Sequence, residues 1–136
     1  MGKGRIIHSQ KVKPFVCDSS YSSKMLLDDL VAGVPAINVN EGTLKGGGKT
    51  GGGVHADNEI YYVVKGEAVL HLDEETFDIG PGSLVFIPGG VFHSLENKSA
   101  TEDFVLLTLW QRAESNEVWH VRMKAWGESF KTIDEG

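Results

Sequence analysis

The sequence contains a single cysteine, Cys17, among 136 residues, so an internal disulfide is excluded. Basic residues are also scarce, since 13 Lys and Arg against 19 Asp and Glu give a net charge of −6. Nucleic acids and anionic membranes bind basic faces, so neither is expected as a partner. No apolar run approaches the ~20 residues of a membrane span, and no signal-peptide pattern opens the chain. We therefore expect a cytoplasmic protein.

Hydrophobic residues make up 40% and charged residues 24% of the chain, a balance typical of globular proteins. The length predicts one domain over residues 1–136, with a barrel core at about 36–110 and extensions at 1–35 and 111–136. Short runs of Val, Ile, Tyr, Phe and Leu recur between Gly and Pro turns, which predicts an all-β barrel or sandwich. The predicted strands are residues 36–42, 59–66, 67–73, 76–80, 83–89 and 103–110.

The two ends of the chain have a different composition. Residues 22–33 are compatible with a helical turn or an edge strand, whereas residues 115–130 mix aromatic and basic side chains and predict a closing helix. We expect the tryptophans at 110, 119 and 126 to cover one end of the barrel or to form a dimer contact.

The glycine-rich segment 41–53 contains Gly-Lys-Thr but does not match a P-loop. That motif requires glycine at position 43, which is Thr43, and a helix after the Lys-Thr pair, whereas a strand pattern follows here. We predict a flexible loop, in which Lys49 or Thr50 could face a substrate.

Two ionisable residues, His55 and Glu59, lie four apart just before an apolar strand. Three glycines precede them and Ile-Tyr-Tyr-Val-Val follows, which favours extended chain over helix. In an extended segment His55, Asp57, Glu59, Tyr61 and Val63 share one face. Ionisable groups inside a barrel are costly unless they are paired or bind metal, so a metal site and a solvated turn both remain open.

A second candidate ligand follows about thirty residues later. In segment 80–97, glycine turns bracket a short apolar strand, and Pro88-Gly89-Gly90 then forms a tight turn before His93. Because His93 lies beside Phe92 and Leu95, these neighbours are compatible with either a core histidine or a ligand.

Together these residues resemble the two sequence motifs of the cupin superfamily. The motif G(X)5HXH(X)3–4E(X)6G is matched in its second half by His55, Glu59 and Gly66. The motif G(X)5PXG(X)2H(X)3N is matched at every position, by Gly82, Pro88, Gly90, His93 and Asn97. The resemblance covers about residues 36–110.

The resemblance implies a double-stranded antiparallel β-barrel, or jelly roll, with a divalent metal between the two motif strands. His55, Glu59 and His93 are then the metal ligands, and Gly53 stands where the family has its first histidine. Two imidazoles and one carboxylate with open positions are typical of non-haem Fe(II) oxygenases. Ligand type leaves Fe, Mn, Ni and Zn open.

Asp57 or Tyr61 could fill the position left by Gly53. Tyr61 is the better candidate for an extra ligand or a catalytic acid or base, because it follows Glu59 on the same face. Some cupin lyases acting on dimethylsulfonio compounds have a similar His-xxx-Glu-x-Tyr…His arrangement, although core packing also explains a tyrosine there. For His71 we expect a solvated or structural role, and His8 and His120 are assigned none.

These features favour a small-molecule metalloenzyme, either of the dioxygenase type or an isomerase, lyase or decarboxylase. The first alternative is a non-catalytic sensor that binds a small ligand in the same cavity, and the second is a metal-free barrel that serves in assembly. The resemblance also implies a homodimer, and a two-fold dimer is the commonest oligomer.

Overall fold

The computed structural model describes residues 4–17 and 19–111, which form nine β-strands and two short helical segments. The strands are β1 Phe15–Val16, β2 Tyr21–Leu27, β3 Asn38–Leu44, β4 Glu59–Lys65, β5 Ala68–Leu72, β6 Glu75–Ile79, β7 Leu84–Ile87, β8 His93–Asn97 and β9 Phe104–Trp110. A single 3-10 turn covers Ser9–Lys11, and helix α1 covers Asp29–Ala32.

All strand pairs are antiparallel and form two sheets. The larger sheet has the order β1-β2-β3-β9-β4-β7, and the smaller has the order β6-β5-β8. The predicted all-β double-stranded antiparallel barrel is therefore confirmed. In the part of the chain that the structure describes, no helix is long and apolar enough to cross a membrane.

The inner faces of β3, β4 and β9 are apolar at one end and polar at the other. Leu44, Val63, Phe104 and Leu106 are fully buried and pack with Leu70 of the smaller sheet. Further along the same inner faces lie Asn38 and Asn40 on β3, Glu59 and Tyr61 on β4, and Thr108 and Trp110 on β9. The core thus occupies one end of the barrel, and a site can form at the other.

Residues 22–33 contain a strand and a helical turn, but the strand is not the edge strand that the sequence left open, because β2 pairs with both β1 and β3. β2 takes Tyr21–Leu27, and α1 follows after Asp28, whose carboxylate accepts from the Val31 amide at 2.8 Å. The predicted closing helix at 115–130, with the tryptophans at 119 and 126 and the histidine at 120, lies outside the described residues. Trp110, in contrast, ends β9 and is buried.

The predicted strands omit β8, which begins at His93 directly after the Pro88–Gly90 turn. The glycine-rich segment also differs from a simple loop, since it runs along β8 and extends the smaller sheet. The amide of Asn97 donates to the Gly48 carbonyl and that of Thr50 to the Leu95 carbonyl, both at 2.9 Å. Gly53 and His93 exchange both of their backbone hydrogen bonds at 3.1 Å.

Asn97 joins the end of β8 to three other chain segments. Its side-chain nitrogen donates to the carbonyls of Leu44, Lys45 and Glu102 at 3.0, 3.1 and 2.8 Å. Its side-chain oxygen accepts from the Ser99 amide at 2.9 Å. The last position of the second motif is therefore structural.

We expect Asn97→Ala to lower the free energy of unfolding by about 2–3 kcal/mol, because several backbone groups lose their partner. Urea denaturation measures this. Asn58→Ala, which removes one exposed hydrogen bond to the Gly89 amide, is the control and should cost less than about 1 kcal/mol. Equal losses in the two variants would contradict the assignment.

Candidate metal centre

Three side chains that are distant in sequence converge at the polar end of the barrel. His55 precedes β4, Glu59 is its first residue, and His93 is the first residue of β8. Each residue offers one ligand atom, and these atoms all lie within 4.8 Å of one another. Glu59 Oε1 lies 3.2 Å from His55 Nε2 and 3.4 Å from His93 Nε2.

Backbone carbonyls fix the orientation of both imidazole rings. His55 Nδ1 donates to the Asp57 carbonyl at 2.9 Å, and His93 Nδ1 donates to the Val91 carbonyl at 3.0 Å. A carbonyl oxygen only accepts, so in each neutral ring the proton is on Nδ1 and the Nε2 lone pair faces the cluster. A hydrogen bond of this kind at the second nitrogen is typical of metal-binding histidines.

The cluster therefore brings three electron-pair donors together, an arrangement that requires a proton or a cation between them. Without an ion, the hydrogen bond with Glu59 is the main cause that raises the pKa of His55 above its usual 6.5. For Glu59 burial is the largest influence and raises its pKa, but hydrogen bonds from His55 and His93 outweigh it and leave the pKa lowered. The donor set and its charge fit a divalent metal ion.

The Pro88–Gly90 turn brings the two motif segments together. The Gly90 amide donates to the His55 carbonyl at 2.8 Å, and Gly90 has φ +86°, which favours glycine. A Cβ on Gly89 would collide with the Ala56 carbonyl oxygen. Both glycines thus allow the turn to lie directly against the chain that carries His55, which explains their fixed spacing from His93.

Gly53 lies directly opposite His93 in a hydrogen-bonded antiparallel pair. Side chains at such positions project from the same face, so a side chain at 53 would point towards the cluster. A Cβ built on Gly53 meets no atom within 4 Å. The position that the family motif fills with its first histidine is open space here.

A cavity of about 370 Å³ opens beside the cluster, and Thr50, Gly53, Asp57 and Tyr61 line it. Tyr61 is 7% exposed, and its ring meets that of His93 edge-on with centroids 6.2 Å apart. Asp57 lines the cavity but does not belong to the cluster of ligand atoms. The chain bends at residues 56–57, so the prediction of a continuous extended segment from 55 to 59 with one shared face is wrong.

The remaining candidates lie away from the cluster. His71 pairs with Glu96 at 2.7 Å, both partly exposed, and this hydrogen bond is the main cause that lowers the pKa of Glu96. The backbone of Lys49 forms an antiparallel β-bridge with that of Glu96, and Lys49 does not line the cavity. Thr50 does line it. His8 is exposed, at the start of the 3-10 turn.

Sequence reasoning missed three buried polar residues in the cavity wall: Ser23, Asn40 and Thr108. A signal for one of them was present, because Asn38 and Asn40 occupy alternate positions of a predicted core strand, where apolar residues are the rule. Ser23 and Thr108 carry no comparable signal.

The family model described as "Cupin domain" matches residues 40–110. An uncharacterised protein from Methanocaldococcus jannaschii is 32% identical over 89 residues, which cover 64% of this chain and 70% of that protein. An uncharacterised protein from Streptomyces coelicolor is 38% identical over 61 residues, which cover 45% of this chain. The match spans little more than half of that relative, 56% of its length.

Solved structures share the fold. A predicted oxalate decarboxylase from Thermotoga maritima has a TM-score of 0.70 at 24% identity, over 80% of this chain and 100% of that one. The polyketide cyclase RemF from Streptomyces resistomycificus has a TM-score of 0.72 at 19% identity, over 92% of this chain and 97% of RemF. A cupin sugar phosphate isomerase from Silicibacter pomeroyi has a TM-score of 0.67 at 20% identity, over 80% of this chain and 76% of the isomerase.

In chelator-treated protein, we expect thermal stability to fall as the pH rises above about 6.5. The raised pKa of His55 stabilises the folded state. This contribution is fully present at a pH below 6.5, the pKa of His55 in the unfolded chain, and it is lost as the pH rises through the higher pKa of the folded state. The lowered pKa of Glu59 acts in the opposite direction, and its contribution is lost as the pH falls below 4.5.

Melting temperatures measured between pH 5 and 9 test this expectation. The fall above pH 6.5 should shrink in His55→Gln and persist in His8→Gln, whose site is exposed and remote. An identical pH profile for wild type and His55→Gln would contradict the interaction between His55 and Glu59.

Proposed function

The chain belongs to the cupin-domain family, and we propose that it is a metal-dependent enzyme acting on a small oxygenated molecule. The observation that carries this proposal is the convergence of His55 Nε2, Glu59 and His93 Nε2, with both Nδ1 atoms held by carbonyls. On this proposal the three side chains are the metal ligands, and the cavity beside them receives the substrate.

The net charge of the site sets the kind of substrate. Two neutral imidazoles and one carboxylate leave a divalent ion with a net charge of +1, which favours an anionic or enolisable chelating group. Gly53 leaves space on the cavity side that a fourth protein ligand would otherwise fill. When bound, the ion supplies Lewis acidity, and iron also supplies redox chemistry.

In this proposal Tyr61 holds or moves a proton at its Oη atom. It lines the substrate cavity, it is buried, and its ring packs edge-on against the ring of His93. A tyrosine so close to bound substrate is suited to acid–base steps such as isomerisation, elimination or decarboxylation. The structural neighbours include a predicted decarboxylase, an isomerase and a cyclase, which supports this range of reactions. Dioxygenation with iron is the other reaction type that the ligand set suits.

Protein purified without an affinity tag should contain one equivalent of Fe, Mn, Ni or Zn. His93→Ala should weaken metal binding by more than the roughly 10–100-fold that loss of an outer hydrogen bond costs. Elemental analysis and competition with a chromogenic chelator measure both quantities. His71→Ala, on the outside of the smaller sheet, is the control and should keep the metal.

Gly53→His provides the reciprocal change, because a histidine at this position would face the cluster opposite His93. It should bind the metal more tightly than wild type, and Gly53→Ala should not. Metal content unaffected by His93→Ala would contradict the proposed centre.

Turnover and simple binding can be separated by screening small diketones, phenols and hydroxy acids. Oxygen uptake by the iron(II) form indicates dioxygenation, and product formation by the zinc or nickel form without oxygen uptake indicates acid–base chemistry. For the latter, Tyr61→Phe should keep the metal and lower turnover by about 100-fold or more. Tight binding with no turnover in any form would favour a sensor instead.

We also propose that two copies associate through the outer face of the larger sheet. Ile60 pairs with Phe86 and Tyr62 with Leu84, and together they form the β4–β7 patch. Leu84 and Phe86 are 66% and 55% exposed, on the edge strand β7. Exposed apolar patches of this kind mark interaction sites, and a second copy can cover the patch symmetrically.

Light scattering at micromolar concentration should give a dimer, and Leu84→Glu should give a monomer with unchanged metal content. Val34→Glu is the control, because Val34 is exposed and apolar but lies outside the β4–β7 patch. A wild-type monomer, or a Leu84→Glu dimer, would contradict this proposal.

A further inference from the structure

A row of polar side chains crosses the larger sheet beside the cluster. Asn40 on β3 lies opposite Thr108 on β9, and Thr108 lies opposite Tyr61 on β4. All three line the cavity of about 370 Å³ that also contains the cluster. Given the strand spacing and rise per residue, the Cα of Asn40 is roughly 12 Å from that of Glu59. The cavity therefore has a metal-ligand end and a second polar end.

Asn40 is the most informative residue at this second end. It is 1% exposed, and its Oδ1 has no hydrogen-bond partner among residues 4–17 and 19–111. Buried acceptors are nearly always satisfied, because an unpaired one destabilises the fold. Since Asn40 also lines the cavity, a bound molecule can supply the missing partner. An amide offers both a donor and an acceptor, so it suits a hydroxyl group.

The second end of the cavity is also uncharged. The histidine and carboxylate side chains that line the cavity are His55, Asp57, Glu59 and His93. All four lie in or beside the cluster, and Cys17 is the only other described lining residue that can ionise near neutral pH. Among the described residues no lysine or arginine lines the cavity. Such cations typically bind phosphate groups, whereas buried amide and hydroxyl groups such as those of Asn40, Thr108 and Ser23 suit neutral hydroxyls.

We propose that the cavity binds a small polyhydroxylated carboxylic acid. Its carboxylate and adjacent oxygen lie at the His55–Glu59–His93 end, and its distal hydroxyl groups bond to Asn40 and Thr108. This inference rests on the proposed metal centre for the anionic end of the ligand. A volume of about 370 Å³ is at the small end of the range for small-molecule sites, which suits a single unbranched acid.

Asn38 provides a matched control. It lies two residues before Asn40 on the same inner face, it is equally buried, and both of its amide atoms lack partners among the described residues. It does not line the cavity. Leucine has a similar volume and removes the unpaired amide atoms at each position, which are both atoms of Asn38 and Oδ1 of Asn40, so neither change should unfold the protein. Only the change at 40 should alter ligand preference.

The test uses zinc-loaded protein and calorimetric titration with gluconate, galactonate and mannonate against 2-hydroxyhexanoate. The reference acid keeps the chelating carboxylate and hydroxyl but lacks the distal hydroxyls. At least one of the three hexonates should bind about tenfold tighter than the reference, as two or more neutral hydrogen bonds predict. Asn40→Leu should bring this preference within about threefold, and Asn38→Leu should retain it.

Thr108→Val, which is nearly isosteric, gives a second variant in which the preference should fall by about threefold or more. Zinc affinity is measured in every variant and should not change. Hexonates that bind no tighter than 2-hydroxyhexanoate, or a preference that survives Asn40→Leu, would overturn the inference while the metal centre stands. Tighter binding of 6-phosphogluconate than of gluconate would also overturn it. Failure of wild type to bind zinc would overturn the inference and the proposed function together.

Discussion

The site depends on three lone-pair donors that point at one place. Two imidazole Nε2 atoms and a carboxylate oxygen repel one another unless a proton or a cation lies between them. The surrounding structure leaves them little freedom to turn away. The carbonyls of Asp57 and Val91 hold the rings, and the Pro88–Gly90 turn joins the chain of His55 to that of His93. The fold therefore prepares an electronegative site before any ligand arrives.

The same strands carry the core and the site, and they do so at opposite ends. β3 changes on its inner face from asparagine to leucine, β4 from glutamate and tyrosine to valine, and β9 from phenylalanine to threonine. The apolar end supplies the burial that stabilises the barrel, whereas the polar end includes amide atoms that have no partner among the described residues and that reduce stability. Such a loss of stability at one end is typical of a site kept for binding rather than for packing.

Local sequence patterns were sufficient to predict most of the strands and the three candidate ligands. Alternation predicted strands such as β4 and β9, and the resemblance to the two cupin motifs selected His55, Glu59 and His93 as candidate ligands. The remainder depends on pairing between distant segments. Glycine has no side-chain pattern, so the run of residues 48–53 along β8 was not visible, and neither was β8 itself after a Pro-Gly-Gly turn. The row from Asn40 to Thr108 exists only through the register of β3 against β9, which are more than sixty residues apart.

The most direct test of this account is anomalous diffraction from crystals of the zinc-loaded protein. The account predicts one strong peak bonded to Nε2 of His55, Nε2 of His93 and a carboxylate oxygen of Glu59, at about 2.0–2.2 Å from each. Both Nδ1 atoms should keep their carbonyl partners, and the cavity side should remain open to water or substrate. A peak elsewhere, or ligation through Nδ1 of either histidine, would contradict it.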